Sequence, residues 1–155
     1  MLIYAIIIES RGNYMTVRKC LEKDVEEIHI LLNELENTTF SLKTFTTIYL
    51  DKIVNPNNHY FVYCIDNKIV GFISLNIEQK LHHHDKVCTI EELVIHPEYR
   101  NQKIGGKLLT HGINTAKDNN CEIIELTSNI RRTKAHSFYL QHGFTKDSYK
   151  FSRKL

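Results

Sequence analysis

The sequence predicts a mixed α/β fold, one mixed sheet with helices on both of its faces. Three observations carry that class. Short runs alternate apolar and polar residues, as in Ile73, Leu75 and Ile77 against Ser74, Asn76 and Glu78, which marks strands with distinct faces. Longer runs repeat apolar residues at helical spacing, as in Val25, Ile28, Leu31, Leu32 and Leu35. The runs follow the order β-α-α-β-β-β-α-β-α-β, with no internal repeat, low-complexity tract or Gly/Ser linker dividing them.

Residues 1–14 read as an N-terminal extension, either an upstream start or an extra strand. "MLIYAIIIES" holds an apolar run too short to span a bilayer, and it lacks the basic flank and cleavage site of a signal peptide. An exposed β-prone run wants a partner in the same chain or in another copy, which leaves a homodimer open. Residues 15–155 read as a single domain opened by Met15. "TVRKC" is a short strand, and Asp24 then caps the first helix. A second helix runs from about Leu42 to Ile53 and is ended by "NPNN". "HYFVYCI" and "KIVGFISLNI" flank Asp66-Asn67, a pair that tolerates the positive φ of a tight hairpin. "KVCTIEELVI" is apolar enough for a central strand, and Pro97 stops it. "IGGKLLTHGINTAK" is helical, with Ile104, Leu108, Leu109, Ile113 and Ala116 on or near one face. "CEIIELT" is a strand, "TKAHSFYLQH" a short helix with Gly143 as its left-handed cap, and "FTKDSYKFSRKL" one or two strands.

With 155 residues, 42% hydrophobic and 25% charged, the chain is one globular domain able to bury a core. A formal net charge of +2 is too small to imply a nucleic-acid or membrane partner, so any functional positive charge must be local. Cys20, Cys64, Cys88 and Cys121 form no CxxC pair and lie in apolar stretches, which suits buried free thiols in the reducing cytoplasm rather than structural zinc.

The stretch "HPEYRNQKIGG" between a strand and a helix has the requirements of a pyrophosphate cradle. A helix start presents unpaired N–H groups and the positive end of the dipole to an anion. Gly105 and Gly106 let the backbone approach closely, and Arg100, Lys103 and Lys107 surround the turn with charge. Basic residues decorating a helix entrance is the other reading. The stretch is neither a P-loop nor a dinucleotide fingerprint, because the glycine spacing is wrong for both.

"LVIHPEYRNQKIGGKLL" resembles the acetyl-CoA signature of the GNAT-type N-acetyltransferases, a hydrophobic strand followed by R/Q-x-x-G-x-G/A. Arg100 matches the first position and Gly105 the last, while Lys103 stands where the first glycine is usual. Downstream, "NIRRTKAHSFYLQHGF" resembles the family's second element through Asn129, Ala135, Tyr139, Gly143 and Phe144, although six residues separate Asn129 from Ala135. Several stretches, among them "LHHHDKVCTIEELVI", resemble the aminoalkylphosphonate N-acetyltransferase branch and its neighbours.

The resemblance implies a central mixed, mostly antiparallel sheet of six to seven strands flanked by about four helices. It implies transfer of the acetyl group of acetyl-CoA to a primary amine, by direct attack in a ternary complex. A small-molecule acceptor is the first reading, a protein N-terminus or lysine the second, and a non-catalytic acyl-CoA-binding regulatory module the alternative of another class. The implied cofactor contacts are the strand Leu93, Val94 and Ile95 along pantetheine, then Arg100, Asn101, Gln102, Lys103, Ile104, Gly105, Gly106 and Lys107 at the pyrophosphate, with Asn129, Arg132 and Tyr139 beyond. Tyr139 matches the family's general acid toward the CoA sulfur.

For the base, Glu91 and Glu92 lie on the central strand with alternation sending them to opposite faces. Glu91 is slightly favoured because it shares parity with Leu93 and Ile95, though a β-bulge would reverse that, and a water relay fits equally. His82, His83 and His84 read first as a polar loop, with acceptor binding, proton removal or a divalent ion as the other readings; no metal requirement is inferred. The acceptor pocket is expected between the helices of residues 24–53, where Glu34 and Glu36 read as solvated surface.

Overall fold

The computed structural model describes residues 6–10 and 13–155, with side chains from Tyr14 onward. The elements are β1 (Ile6–Ser10), β2 (Asn13–Lys19), α1 (Val25–Glu36), α2 (Leu42–Ile53), β3 (Asn58–Ile65), β4 (Lys68–Gln79), β5 (Lys86–Ile95), α3 (Ile104–Asp118), β6 (Cys121–Leu126) and α4 (Thr133–Gln141). All six strands form one sheet in sequence order. Pairing is antiparallel from β1 to β5 and parallel between β5 and β6, where α3 is the crossover.

Part of the N-terminal extension is thus an edge strand, with Ile6 opposite Val17 and Ser10 opposite Asn13. Residues 1–5 and 11–12 lie outside the described residues. The β3–β4 hairpin turns on Asp66 (φ +48°) and Asn67 (φ +66°), the two left-handed residues its sequence calls for.

Each face of the sheet carries its own core. On one, Tyr63, Ile73, Leu75, Cys88 and Ile90 pack against Ile104, Leu108 and Leu109 of α3. On the other, Val62, Cys64, Phe72 and Val94 pack against Ile28 and Leu31 of α1 and Tyr49 of α2. Burying each large apolar side chain stabilises the fold by about 2 kcal/mol before entropy is charged against it. The absence of a side chain at Gly71 lets α3 lie close to β4: a Cβ there would stand 2.8 Å from Ile95 Cδ1 and 2.9 Å from Leu108 Cδ1.

Two local expectations are corrected. Asp24 makes no side-chain cap bond at the start of α1. Its carboxylate is buried and taken by the Arg18 guanidinium, at 2.6 and 2.9 Å, and by the Leu21 amide at 2.8 Å. A charged partner outcompetes a neutral helix amide for the same oxygens. The C-terminal stretch "FTKDSYKFSRKL" forms no strand. Its alternation is strand-like, but a ladder needs a partner backbone; Tyr149, Phe151 and Leu155 stay exposed and β6 ends the sheet.

Candidate active site

The parallel β5–β6 pairing stops at Ile90↔Leu126, five residues before β5 ends at Ile95. Among the described residues, Glu92 to Ile95 therefore pair only with β4, and their other edge carries no strand. Beyond that edge lies a cavity of about 1050 Å3. Leu93, Val94 and Ile95 line it on one side, Leu35 of α1 joins them, and Lys134, Ala135, Phe138 and Tyr139 of α4, with His142 just after it, line the other. The cavity continues along the helix start through Arg100, Asn101, Lys103, Ile104, Gly105, Gly106 and Lys107.

At that start the chain bends sharply. A 3-10 turn, Pro97–Tyr99, leads into Asn101 (φ +62°) and Lys103 (φ +61°), both left-handed. Lys103 holds a conformation that glycine adopts freely and that costs a residue with a Cβ on the order of 1 kcal/mol. No side chain caps α3, and its first internal bond runs from the Lys107 amide to the Lys103 carbonyl at 3.2 Å. The amides of Ile104, Gly105 and Gly106 thus have no partner within the helix and no side-chain cap, which leaves them available to an anion. A Cβ at Gly105 would meet only Phe138 at 3.6 Å and Ile95 at 3.8 Å, ordinary contacts, so the protein's own packing does not demand glycine there.

Three basic side chains are engaged elsewhere. Arg100 folds back, donating from Nε to the Ile95 carbonyl at 3.1 Å and reaching Glu34 at 3.6 Å. Lys107 turns towards β3 and donates to the Tyr63 hydroxyl at 3.1 Å. Arg132 donates to the Leu35 carbonyl at 2.9 Å and Glu36 at 3.1 Å. Glu34 and Glu36, read from sequence as solvated surface, are exposed, and each also reaches one of these guanidinium groups. Gln102 bonds back to the Glu98 carbonyl at 3.4 Å and lies outside the cavity lining. Asn129 shapes the entry to α4, its side chain accepting from the Arg131 amide at 3.0 Å.

The two glutamates of β5 are separated by a bulge. Leu75 opposes Ile90 and Ser74 opposes Glu92, so Glu91 has no partner residue and is exposed. Alternation restarts at Glu92, which shares the α1 face with Val94, while Leu93 and Ile95 pack on the α3 side. Glu92 accepts a hydrogen bond from Ser74 Oγ, which in turn accepts from the Glu92 amide at 3.0 Å. Burial pushes the Glu92 carboxyl above its ordinary range; the Ser74 bond opposes this, and Glu91 and Glu36 add to it. Burial, then Glu92 and Glu91, push the neighbouring Tyr60 phenol up to about 12.

Tyr139 stands on the cavity wall between Phe138 and Phe144, with ring centroids at 5.3 and 5.7 Å. Its hydroxyl makes no hydrogen bond among the described residues, and burial holds its pKa up against the pull of Arg132. The histidine loop lies elsewhere: it precedes Lys86 at the far end of β5, roughly 30 Å from Ile95 at about 3.3 Å per residue, and His83 sits 3.5 Å from Glu122. No group of three His, Cys, Asp or Glu side chains converges there or elsewhere among the described residues. Likewise, no helix among them is long and apolar enough to cross a membrane. Leu35, Tyr63 and His142 were not singled out from sequence, because long-range packing rather than any motif brings them to the cavity.

Comparison with known proteins agrees with this geometry. Residues 25–144 match the model of the Acetyltransferase (GNAT) family. The aminoalkylphosphonate N-acetyltransferase of Salmonella typhimurium is 32% identical over 153 residues, covering 97% of this chain and 99% of that one. A transcriptional regulator from Bacillus halodurans C-125 superposes with a TM-score of 0.84 at 25% identity, over 91% of this chain and 99% of its own. Aminoglycoside N-acetyltransferase AAC(6')-Iy in complex with CoA shares the fold, with a TM-score of 0.83 at 16% identity over 95% and 99% of the two chains. An open strand edge leading to an uncapped helix start suits a long pyrophosphate-bearing thioester, and the chain belongs to the GNAT family, as an acetyl-CoA-dependent acyltransferase.

Proposed function

We propose that the protein transfers the acetyl group of acetyl-CoA to the primary amine of a small molecule, both substrates being bound together. The observation that carries this is one continuous cavity joining the open edge of Leu93 to Ile95 to the uncapped start of α3, with Tyr139 on its wall. Bound there, acetyl-CoA supplies the activated acetyl group as a thioester. The backbone of Leu93 to Ile95 aligns the pantetheine arm as an added strand would, and the amides of Ile104 to Gly106 hold the pyrophosphate.

Glu92, which does not itself line the cavity but precedes Leu93 on the same strand, takes the proton from the incoming ammonium through water. A carboxyl held above its usual range is a stronger base near neutral pH, and its face of the sheet is the one covered by α1 and α2. Tyr139 delivers a proton to the departing thiolate; burial keeps it protonated until then. The Salmonella relative favours a short aliphatic amine bearing an anionic group, with aminoalkylphosphonates as the first candidates.

The test is an acceptor screen that follows thiol release with acetyl-CoA, covering aminoalkylphosphonates, polyamines, amino acids, aminoglycosides and a peptide with a free N-terminus, with and without divalent metal. Turnover is expected to be highest with an aminoalkylphosphonate. Preference for the peptide would move the acceptor to proteins. A melting temperature raised by acetyl-CoA without turnover on any amine would leave only the regulatory-module reading.

A further inference from the structure

α1 and α4 both border the cavity, Leu35 lining it from one helix and Lys134, Ala135 and Tyr139 from the other. A single guanidinium joins them. Arg132, immediately before α4, donates to the Leu35 carbonyl at 2.9 Å and to Glu36 Oε1 at 3.1 Å. That carbonyl belongs to the last turn of α1, where acceptors have no partner within the helix, so the bond fixes the helix end. Arg132 is itself on a held turn, its amide donating to Asn129 O at 2.9 Å and its carbonyl accepting from the His136 amide at 3.0 Å.

We propose that Arg132 is a positioning residue for the acceptor: it clamps the end of α1 to the start of α4, fixing the width of the mouth by which the amine reaches the thioester. The role rests on the transferase reading above. It differs from the phosphate contact that family resemblance implies for Arg132, since the guanidinium is engaged on the α1 side of the channel.

The clamp also has a charge consequence. The groups bearing on Glu92 are Ser74, Glu91 and Glu36, with Tyr60 beside it, and Arg132 is the cation that balances Glu36. Arg132 in turn bears on Tyr139. Glu36 is the last of the charges that hold the Glu92 carboxyl up, and Arg132 is its cation. A merely structural loss would not raise the amine KM while leaving the acetyl-CoA melting shift intact.

The experiment uses the full chain with 2-aminoethylphosphonate, or the strongest amine of the screen. Arg132→Ala should raise the amine KM about tenfold, in line with the sensitivity of catalysis to small misplacements. The melting shift given by acetyl-CoA should be kept, and Arg132→Lys should recover part of the loss. Glu36→Gln, a milder change, serves where Arg132→Ala folds poorly. Loss of the acetyl-CoA shift with an unchanged amine KM would make Arg132 a phosphate ligand and overturn the proposal. A wild-type chain inactive on every amine would overturn the transferase reading and this one with it, whereas wild-type turnover with an unmoved KM in the variants overturns this one alone.

Discussion

The two halves of β5 belong to one continuous strand and have opposite physical lives. Lys86 to Ile90 pair with β4 on one side and β6 on the other, and Val87 and Cys88 are fully buried. Glu92 to Ile95 keep β4 but lose β6, and the edge from Leu93 to Ile95 borders the cavity. The bulge at Glu91 is the divide. A strand satisfied on both edges can only be core; one left unsatisfied in the interior is a standing site for an extended ligand. The difference teaches that this site arises from where pairing stops as much as from which side chains are present.

The comparison is broken most severely at the helix start below the open half. Gly105→Val should abolish the melting shift given by acetyl-CoA while leaving the ligand-free melting temperature near that of the wild type, since a Cβ has room against the protein. An intact shift would show that the amides of that turn do not hold the pyrophosphate. Glu92→Gln should lower kcat by roughly 100- to 10000-fold, the usual worth of a positioned base. In the wild type, kcat/KM should climb with pH through a carboxyl pKa above the ordinary range, because the ionised form is the active one; the limb should vanish in the variant. If Glu91→Gln gave the larger loss, the bulge would have been misread as selecting Glu92. Tyr139→Phe should cost about 10- to 100-fold in kcat with little change in KM, as expected for an acid that acts on the leaving group.

In the closed half the effect should be on stability alone. Val87→Ala should destabilise by about 2 kcal/mol in a denaturant titration through the lost burial, with both KM values unchanged. The smallest effect is expected at Lys103. Lys103→Gly should retain acetyl-CoA binding and raise stability by up to about 1 kcal/mol, by relieving the left-handed backbone at φ +61°.

Much of the fold was legible because its signals are local. The second helix was placed at Leu42 to Ile53 from spacing and the following Asn-Pro, and α2 has those bounds. The Asp66-Asn67 turn was equally plain. The turn into α3, proposed as the pyrophosphate site, is marked in the sequence by Gly105 and Arg100. The bulge was not legible, since no glycine or proline flags it and it exists only through the pairing of Glu92 with Ser74, eighteen residues away. The directions of Arg132 and Lys107 were hidden for the same reason, set by Glu36 and Tyr63 on distant elements. The tail failed in the other sense. Its alternation of Tyr149, Phe151 and Leu155 is a property of the segment, whereas a strand is a property of two.

The state of the four cysteines bears on how the reaction can be watched. Cys20, Cys64 and Cys88 are buried, and burial pushes all three thiols up, Cys88 to about 12. Few thiolates stand ready in the folded chain to meet a disulfide reagent, and only Cys121 is partly open to solvent. A chromogenic reagent present throughout turnover should therefore colour with liberated CoA and with little more than one slow equivalent from the protein, and a sudden rise towards four would report unfolding instead of catalysis.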